Sequence, residues 1–296
     1  MVIEKGLGTR VWDVNGKEYL DFTAGWAVTN IGHSHPVIVD AITKQAATLM
    51  QTSNAFYTIP QLHLAKLLVT NSCYDKVFFG NSGAEAIEGA IKLARKYGKV
   101  NRDGAYEIIT AYNSFHGRTM STLAATGQPH YQETFRPLTP GFIHVDFNDM
   151  DQIREATSDK IAAIMLEPIQ GEGGVNSLPL NYLEQIQNLA NKNKFLVISD
   201  EVQTGMGRLG RMFGYQDTAL KPDIMALAKG LGGGVPLGAV LASQEVAKGM
   251  TPGSHGSTFG GNPLVMAAGN AVLDIITEKD FMKKAQMKME HLSKGL

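Results

Sequence analysis

Six short apolar runs limit what this chain can become. Lys76–Gly80, Glu107–Ala111 and Ile161–Leu166 are three of them, and residues 195–199, 224–228 and 237–242 supply the others. Each is too short for a typical helix and breaks off at glycine or a polar residue. Segments with helical apolar spacing lie between several of them, as in N-S-G-A-E-A-I-E-G-A-I-K-L-A-R-K (81–96) and at residues 182–191. Such alternation implies an α/β fold, a mostly parallel sheet with helices on both faces. Ligands of such sheets bind beyond the carboxyl ends of the strands. Ser82, Phe115, Glu172, Asp200 and Lys229 all fall just past run ends, so they are expected to share one site.

The remaining chain reads as support. Residues 9–22 carry a hairpin pattern with Asn15-Gly16 at the turn. His33 and His35 invite a metal reading but lack a third ligand at recognisable spacing. They read better as the entry to a helix over 37–50, with Pro36 at its first position. Another helix is expected over 60–69, and Asn262-Pro263 opens a long one. With 296 residues, 44% hydrophobic and 19% charged, the chain suits one large core with appendages. A net charge of -1 gives no electrostatic footprint for nucleic acid or membrane. Cys73 is the only cysteine, which excludes an internal disulfide or a thiolate cluster. No run reaches membrane length and no signal-peptide pattern opens the chain, so the cytoplasm is the expected compartment.

The chemistry concentrates around D-I-M-A-L-A-K-G-L-G-G-G-V-P-L-G (223–238), where an apolar run ends at Lys229 among small residues. An ordinary surface lysine before a flexible loop is the plain alternative to a Schiff-base lysine. A phosphate-loop motif does not fit, because the glycines follow the lysine and Gly230 stands where Ser or Thr is required. G-M-G-R-L-G (205–210) matches a dinucleotide fingerprint, but no helical period follows it. Ser82-Gly83-Ala84 begins a helix, whose free N–H groups suit an anion; Ser82 can equally serve only as a cap. Asp200 ends a strand too apolar to be exposed and therefore needs a partner, either a heteroaromatic nitrogen or an arginine. Phe115 sits mid-loop, where it can stack on a flat ligand. Ser257-Thr258, among glycines, can add donors.

Six stretches taken together resemble one family. They are N-S-G-A-E-A-I-E-G-A-I-K-L-A-R, S-F-H-G-R-T, L-E-P-I-Q-G-E-G-G, S-D-E-V-Q-T-G-M-G-R-L-G, A-K-G-L-G-G-G-V-P-L-G-A and H-G-S-T-F-G-G-N-P-L. Their order is that of the pyridoxal-phosphate-dependent class III aminotransferases, and within these the likeness is greatest to enzymes acting on acetylornithine in arginine biosynthesis. Enzymes acting on ornithine, succinylornithine or 4-aminobutyrate share the motifs, as do aminomutases of the glutamate-semialdehyde type. The resemblance implies a fold-type I transferase with pyridoxal 5'-phosphate as cofactor, 2-oxoglutarate as amino acceptor and a homodimeric assembly.

The resemblance also implies roles. Lys229 bonds the cofactor and shuttles a proton, Asp200 holds the pyridinium proton, Gln203 meets the ring hydroxyl, and Phe115 and Val202 cover the ring faces. Ser82, Gly83 and Ala84 hold the phosphate, joined by Thr258 of the neighbouring subunit. Glu201 is counted with the cofactor residues. Arg118, Glu172 and Ser257 face the substrate, with Glu172 gating through an arginine of the small C-terminal domain. The implied division is an N-terminal hairpin segment of the small domain (1–35), a large cofactor-binding domain (36–275) and the start of a truncated C-terminal domain (276–296).

Overall fold

The computed structural model describes all residues from Met1 to Leu296. At its centre is a seven-stranded sheet. In chain order its strands are β4 (Lys76–Gly80), β5 (Glu107–Ala111), β6 (Phe142–Val145), β7 (Ile161–Leu166), β10 (Leu196–Asp200), β11 (Ile224–Leu227) and β12 (Gly238–Ala242). Their spatial order is β4-β12-β11-β10-β7-β5-β6. Only β12 runs against its neighbours; the pairs β11–β10, β10–β7, β7–β5 and β5–β6 are parallel. The carboxyl ends of the other six strands and the amino end of β12 therefore meet at one edge. The edge strand β6 has no counterpart among the apolar runs, because F-I-H-V is short and carries His144.

Every residue of β7, β10, β11 and β12 is buried. Their side chains alternate between two cores. Val197, Met225, Leu227 and Leu241 face one of them; Ile198, Ile224, Ala226 and Val240 face the other. A sheet covered on both sides has no polar face, which is why its strands read as continuous apolar runs rather than alternating ones.

The helix Gly83–Asn101 covers one face through Ile87, Ala90, Ile91 and Ala94, the stripe expected from its spacing. Complete burial of a side chain such as Ile87 contributes about 1.5–3 kcal/mol. The other face is packed by the helix Pro263–Ile276, which lies against Ile59–Thr70 and Pro36–Ala46. Asn262 caps the former by accepting from Val265 N at 3.1 Å. The helix after Pro36 ends at Ala46, four residues short of the expected end.

A separate three-stranded sheet precedes this body. β2 (Arg10–Asp13) and β3 (Glu18–Leu20) form the expected hairpin, and β1 (Ile3–Leu7) adds to its edge. The turn is held by Asp13, whose Oδ1 accepts from Asn15 N and Lys17 N, while Gly16 takes a φ of 79°. Two short strands, β8 (Ile169–Gln170) and β9 (Asn176–Ser177), form a small flap after β7. No helix is long and apolar enough to cross a membrane.

Gly98 shows how closely the helix over the sheet approaches its surroundings. A Cβ there would drive into the carbonyl of Ala105, which as backbone cannot swing aside. We expect Gly98→Ala to destabilise the fold by about 1–3 kcal/mol through overpacking. Denaturant midpoints measure this; an unchanged midpoint contradicts the close approach.

Candidate active site

The polar ends of the strands surround a cavity of about 470 Å³ at the carboxyl edge of the sheet. β10 delivers Asp200, and the turn after it delivers Val202 and Gln203. Lys229 arrives two residues past the end of β11. The helix start after β4 presents Ser82, Gly83 and Ala84, and the loop after β5 presents Phe115 and Arg118.

The helix start is prepared for an anion. Ser82 Oγ accepts from Glu85 N at 3.2 Å, and the first helical bond runs from Ala86 N to Ser82 O. The N–H groups of Gly83 and Ala84 are left without a partner in the helix, at its positive end. Two glycines permit this placement. A Cβ at Gly83 would lie 3.0 Å from Val202 Cγ1, and one at Gly238 would collide with Ser82 O.

Lys229 is half-buried, with φ at 46° in the left-handed region that non-glycine residues seldom adopt. It takes part in none of the molecule's ion pairs. Burial lowers its pKa below the ordinary lysine value of 10.5; the negative charges of Asp200, Glu167 and Glu172 partly oppose this.

Asp200 is buried, and its partner within the chain is the imidazole of His116 rather than an arginine. His116 Nδ1 lies 2.8 Å from Oδ2, and Oδ1 accepts from Val202 N at 3.0 Å. Phe115 is fixed by its backbone N–H, which donates to Glu167 Oε2 at 3.1 Å. The Arg118 guanidinium lies 3.8 Å over the Tyr131 ring and 5.5 Å over that of Phe115, and it forms no ion pair. Gln203 fits because Gly171, facing it, has no side chain.

Four residues named with the site lie elsewhere. Glu201 does not face the cavity: alternation along the chain turns it inward from Asp200. Its carboxylate accepts from Thr204 Oγ1 at 2.7 Å, Gly214 N at 2.6 Å and Tyr215 N at 2.7 Å. In this position it pins the loop that contains G-M-G-R-L-G, and its grouping with the cofactor residues rests on the resemblance alone. That loop forms turns rather than a helix, as a dinucleotide site would need. Glu172 is exposed outside the cavity lining, with its Oε1 accepting from Tyr131 Oη at 3.3 Å. Ser257 and Thr258 line a separate depression beside Asn81 and His255. His33, for its part, pairs with Asp21 at 2.6 Å, and that contact holds the Asp21 carboxyl well below its usual range.

Two functional candidates escaped the sequence reading. His116 and Glu167 both line the cavity, and both are buried. Burial raises the Glu167 pKa well above that of an ordinary carboxyl, and nearby Asp200 adds to the shift. Their signal was position, since each lies just past a strand end within a motif, F-H-G and L-E-P.

Together these groups offer an anion seat, a buried carboxyl group, an aromatic face and an amine whose pKa burial lowers. A flat, phosphorylated aromatic aldehyde of pyridoxal phosphate size fits that donor set and volume. A model of the aminotransferase class-III family matches residues 1–296. The acetylornithine aminotransferase of Methanocaldococcus jannaschii is 55% identical over 94% of this chain and 70% of its own. That of Caldanaerobacter subterraneus is 51% identical over 100% of this chain and 75% of its own. Among solved structures, the ornithine aminotransferase of Toxoplasma gondii, with pyridoxal phosphate partly occupying its active site, superposes with a TM-score of 0.91. It is 38% identical over 96% of this chain and 68% of its own. The acetylornithine aminotransferase of Elizabethkingia anophelis gives 0.84, also at 38% identity, over 98% of this chain and 71% of its own. By sequence, fold and the chemistry gathered at the sheet edge, the chain belongs to the class-III aminotransferases, which depend on pyridoxal phosphate.

Proposed function

We propose that this aminotransferase moves the terminal amino group of acetylornithine to 2-oxoglutarate, yielding N-acetylglutamate semialdehyde and glutamate in arginine biosynthesis in the cytoplasm. The observation that carries the reading is the meeting of Lys229, Asp200 and the Ser82 helix start around one cavity, in a chain about half identical to acetylornithine enzymes. The chemistry supplied by bound pyridoxal phosphate is that of an electron sink for a carbanion.

The chain's own residues divide the remaining work. Lys229 would hold the cofactor through its aldehyde, and its Nζ would be the group that moves a proton at the substrate carbon bearing the amino group. Asp200 keeps a proton on the ring nitrogen through opposite charge. Gln203 bonds the ring hydroxyl, while Phe115 and Val202 bracket the ring. Ser82, Gly83 and Ala84 hold the phosphate.

Arg118 takes the substrate carboxylate, its planar guanidinium matching a carboxylate and free of an acidic partner. Glu172 and Ser257 border the substrate's approach. Thr258 serves the phosphate of the other subunit in a homodimer. Supporting this, Gln51 and Asn54 bond the backbone of the Thr258 segment, beside the exposed Phe56, Tyr57 and Phe259. Exposed aromatic residues clustered in this way mark association surfaces.

Three measurements test the reading. With Lys229→Ala, borohydride reduction in the presence of the cofactor should add no mass to the chain, whereas wild type gains the reduced adduct; an adduct on the variant defeats the assignment. Because the Lys229 amine is favoured by burial, covalent capture of the cofactor by the cofactor-free protein should increase with pH around a midpoint below 10.5. A midpoint at or above that value contradicts the burial argument. Acetylornithine, ornithine, succinylornithine and 4-aminobutyrate, assayed side by side with 2-oxoglutarate, should give the highest kcat/KM for acetylornithine. Turnover without any external oxo-acid points instead to an aminomutase.

A further inference from the structure

Arg118 and Glu172 both rest on one side chain. The Arg118 guanidinium lies 3.8 Å over the centre of the Tyr131 ring, and Glu172 Oε1 accepts from Tyr131 Oη at 3.3 Å. The same ring meets Phe115 edge-on, with centroids 6.3 Å apart and planes at 83°. Arg118 and Glu172 are exposed, yet neither forms an ion pair with the other or with any further residue.

Tyr131 is held too firmly to follow its neighbours. It stands in the short helix Pro129–Gln132. The next residue, Gln132, is buried, and its Nε2 donates to Thr126 O at 2.7 Å and Leu123 O at 3.2 Å. Those carbonyls lie at the end of the helix Met120–Ala125. Glu88 fixes the start of that helix, its Oε1 accepting from Ser121 N at 3.2 Å and Thr122 N at 3.3 Å. Arg118, two residues before the helix, and Tyr131, beyond it, are thus set by one braced unit.

A guanidinium seated on a ring face keeps its in-plane N–H groups for a ligand. Unlike charges on neighbouring exposed side chains attract, and an arginine closed on a glutamate offers less to an incoming carboxylate. The Tyr131 hydroxyl gives Glu172 a different partner. We propose that Tyr131 is a positioning residue for the substrate carboxylate: its ring seats Arg118, and its hydroxyl keeps Glu172 from pairing with that arginine. Tyr131 thereby sets affinity for carboxylate-bearing substrates and takes no part in bond making. The inference rests on the reading of Arg118 as the carboxylate partner, and it adds what keeps that arginine available.

The test measures binding of glutarate, an unreactive dicarboxylate, to the holoenzyme by calorimetry, together with kcat and KM for 2-oxoglutarate. Arg118→Gln should weaken glutarate about tenfold to a hundredfold, the worth of hydrogen bonds between charged groups. Tyr131→Phe keeps the ring and removes the hydroxyl. It should weaken glutarate and raise KM by about twofold to fivefold, the range of an exposed ion pair, with kcat nearly unchanged. In a Glu172→Gln background the same Tyr131→Phe change should have no effect, which a merely structural tyrosine does not explain. Tyr131→Leu, which also removes the seat, should weaken glutarate further in either background. If Tyr131→Leu does not fold, Tyr131→Phe in the two backgrounds decides the matter. Tyr131→Phe with wild-type affinity, or an equal loss in the Glu172→Gln background, overturns the proposal. Should wild type not bind glutarate, or Arg118→Gln bind it as wild type does, the Arg118 reading itself fails; if Arg118→Gln alone is weakened, only this inference fails.

Discussion

A strand buried on both faces has room for polar chemistry only at its ends. That constraint governs this molecule. β7, β10, β11 and β12 are buried throughout, and the polar groups that matter sit in the residues where those strands stop. Parallel pairing then carries Asp200, Glu167 and Lys229 to the same edge. Even β12, which runs the other way, contributes by bringing Gly238 against Ser82. The cavity follows from the packing, and the packing follows from apolar runs that cannot face water.

Electrostatics within the cavity follow from the same burial. Removing Lys229 from water favours its amine, while removing Glu167 from water favours its neutral acid. Asp200 has two hydrogen-bond donors and lies beside a lysine whose charge is weakened. The carboxyl groups of Asp200 and Glu167 thus share a cavity whose arginine, Arg118, stacks on the Tyr131 ring and pairs with neither of them.

Much of this was legible in the chain. Strand ends at Gly80, Ala111 and Leu166 were readable to the residue, because short apolar runs bounded by glycine or polar residues have few other uses. Ser82 and Asn262 were readable as caps from local chemistry. The edge strand β6 was not, since four residues including His144 carry no clear period. Glu201 shows a related effect. It neighbours Asp200 in sequence, but successive residues leaving a strand point to opposite sides, and Glu201 is spent on Thr204, Gly214 and Tyr215.

What the sequence determined by itself is six of the seven central strands, several helices and the residues that stand at their ends, because periodicity and capping are local properties. Only the tertiary structure could decide which of those end residues touch. His116 and Asp200 are 84 positions apart and were each readable as a polar residue beyond a strand, with no signal that one would hold the other. Their pairing comes from the order of strands in the sheet and from the dry space between the loop after β5 and the end of β10. Pairing of that kind is a property of distance in space, and no local pattern encodes it.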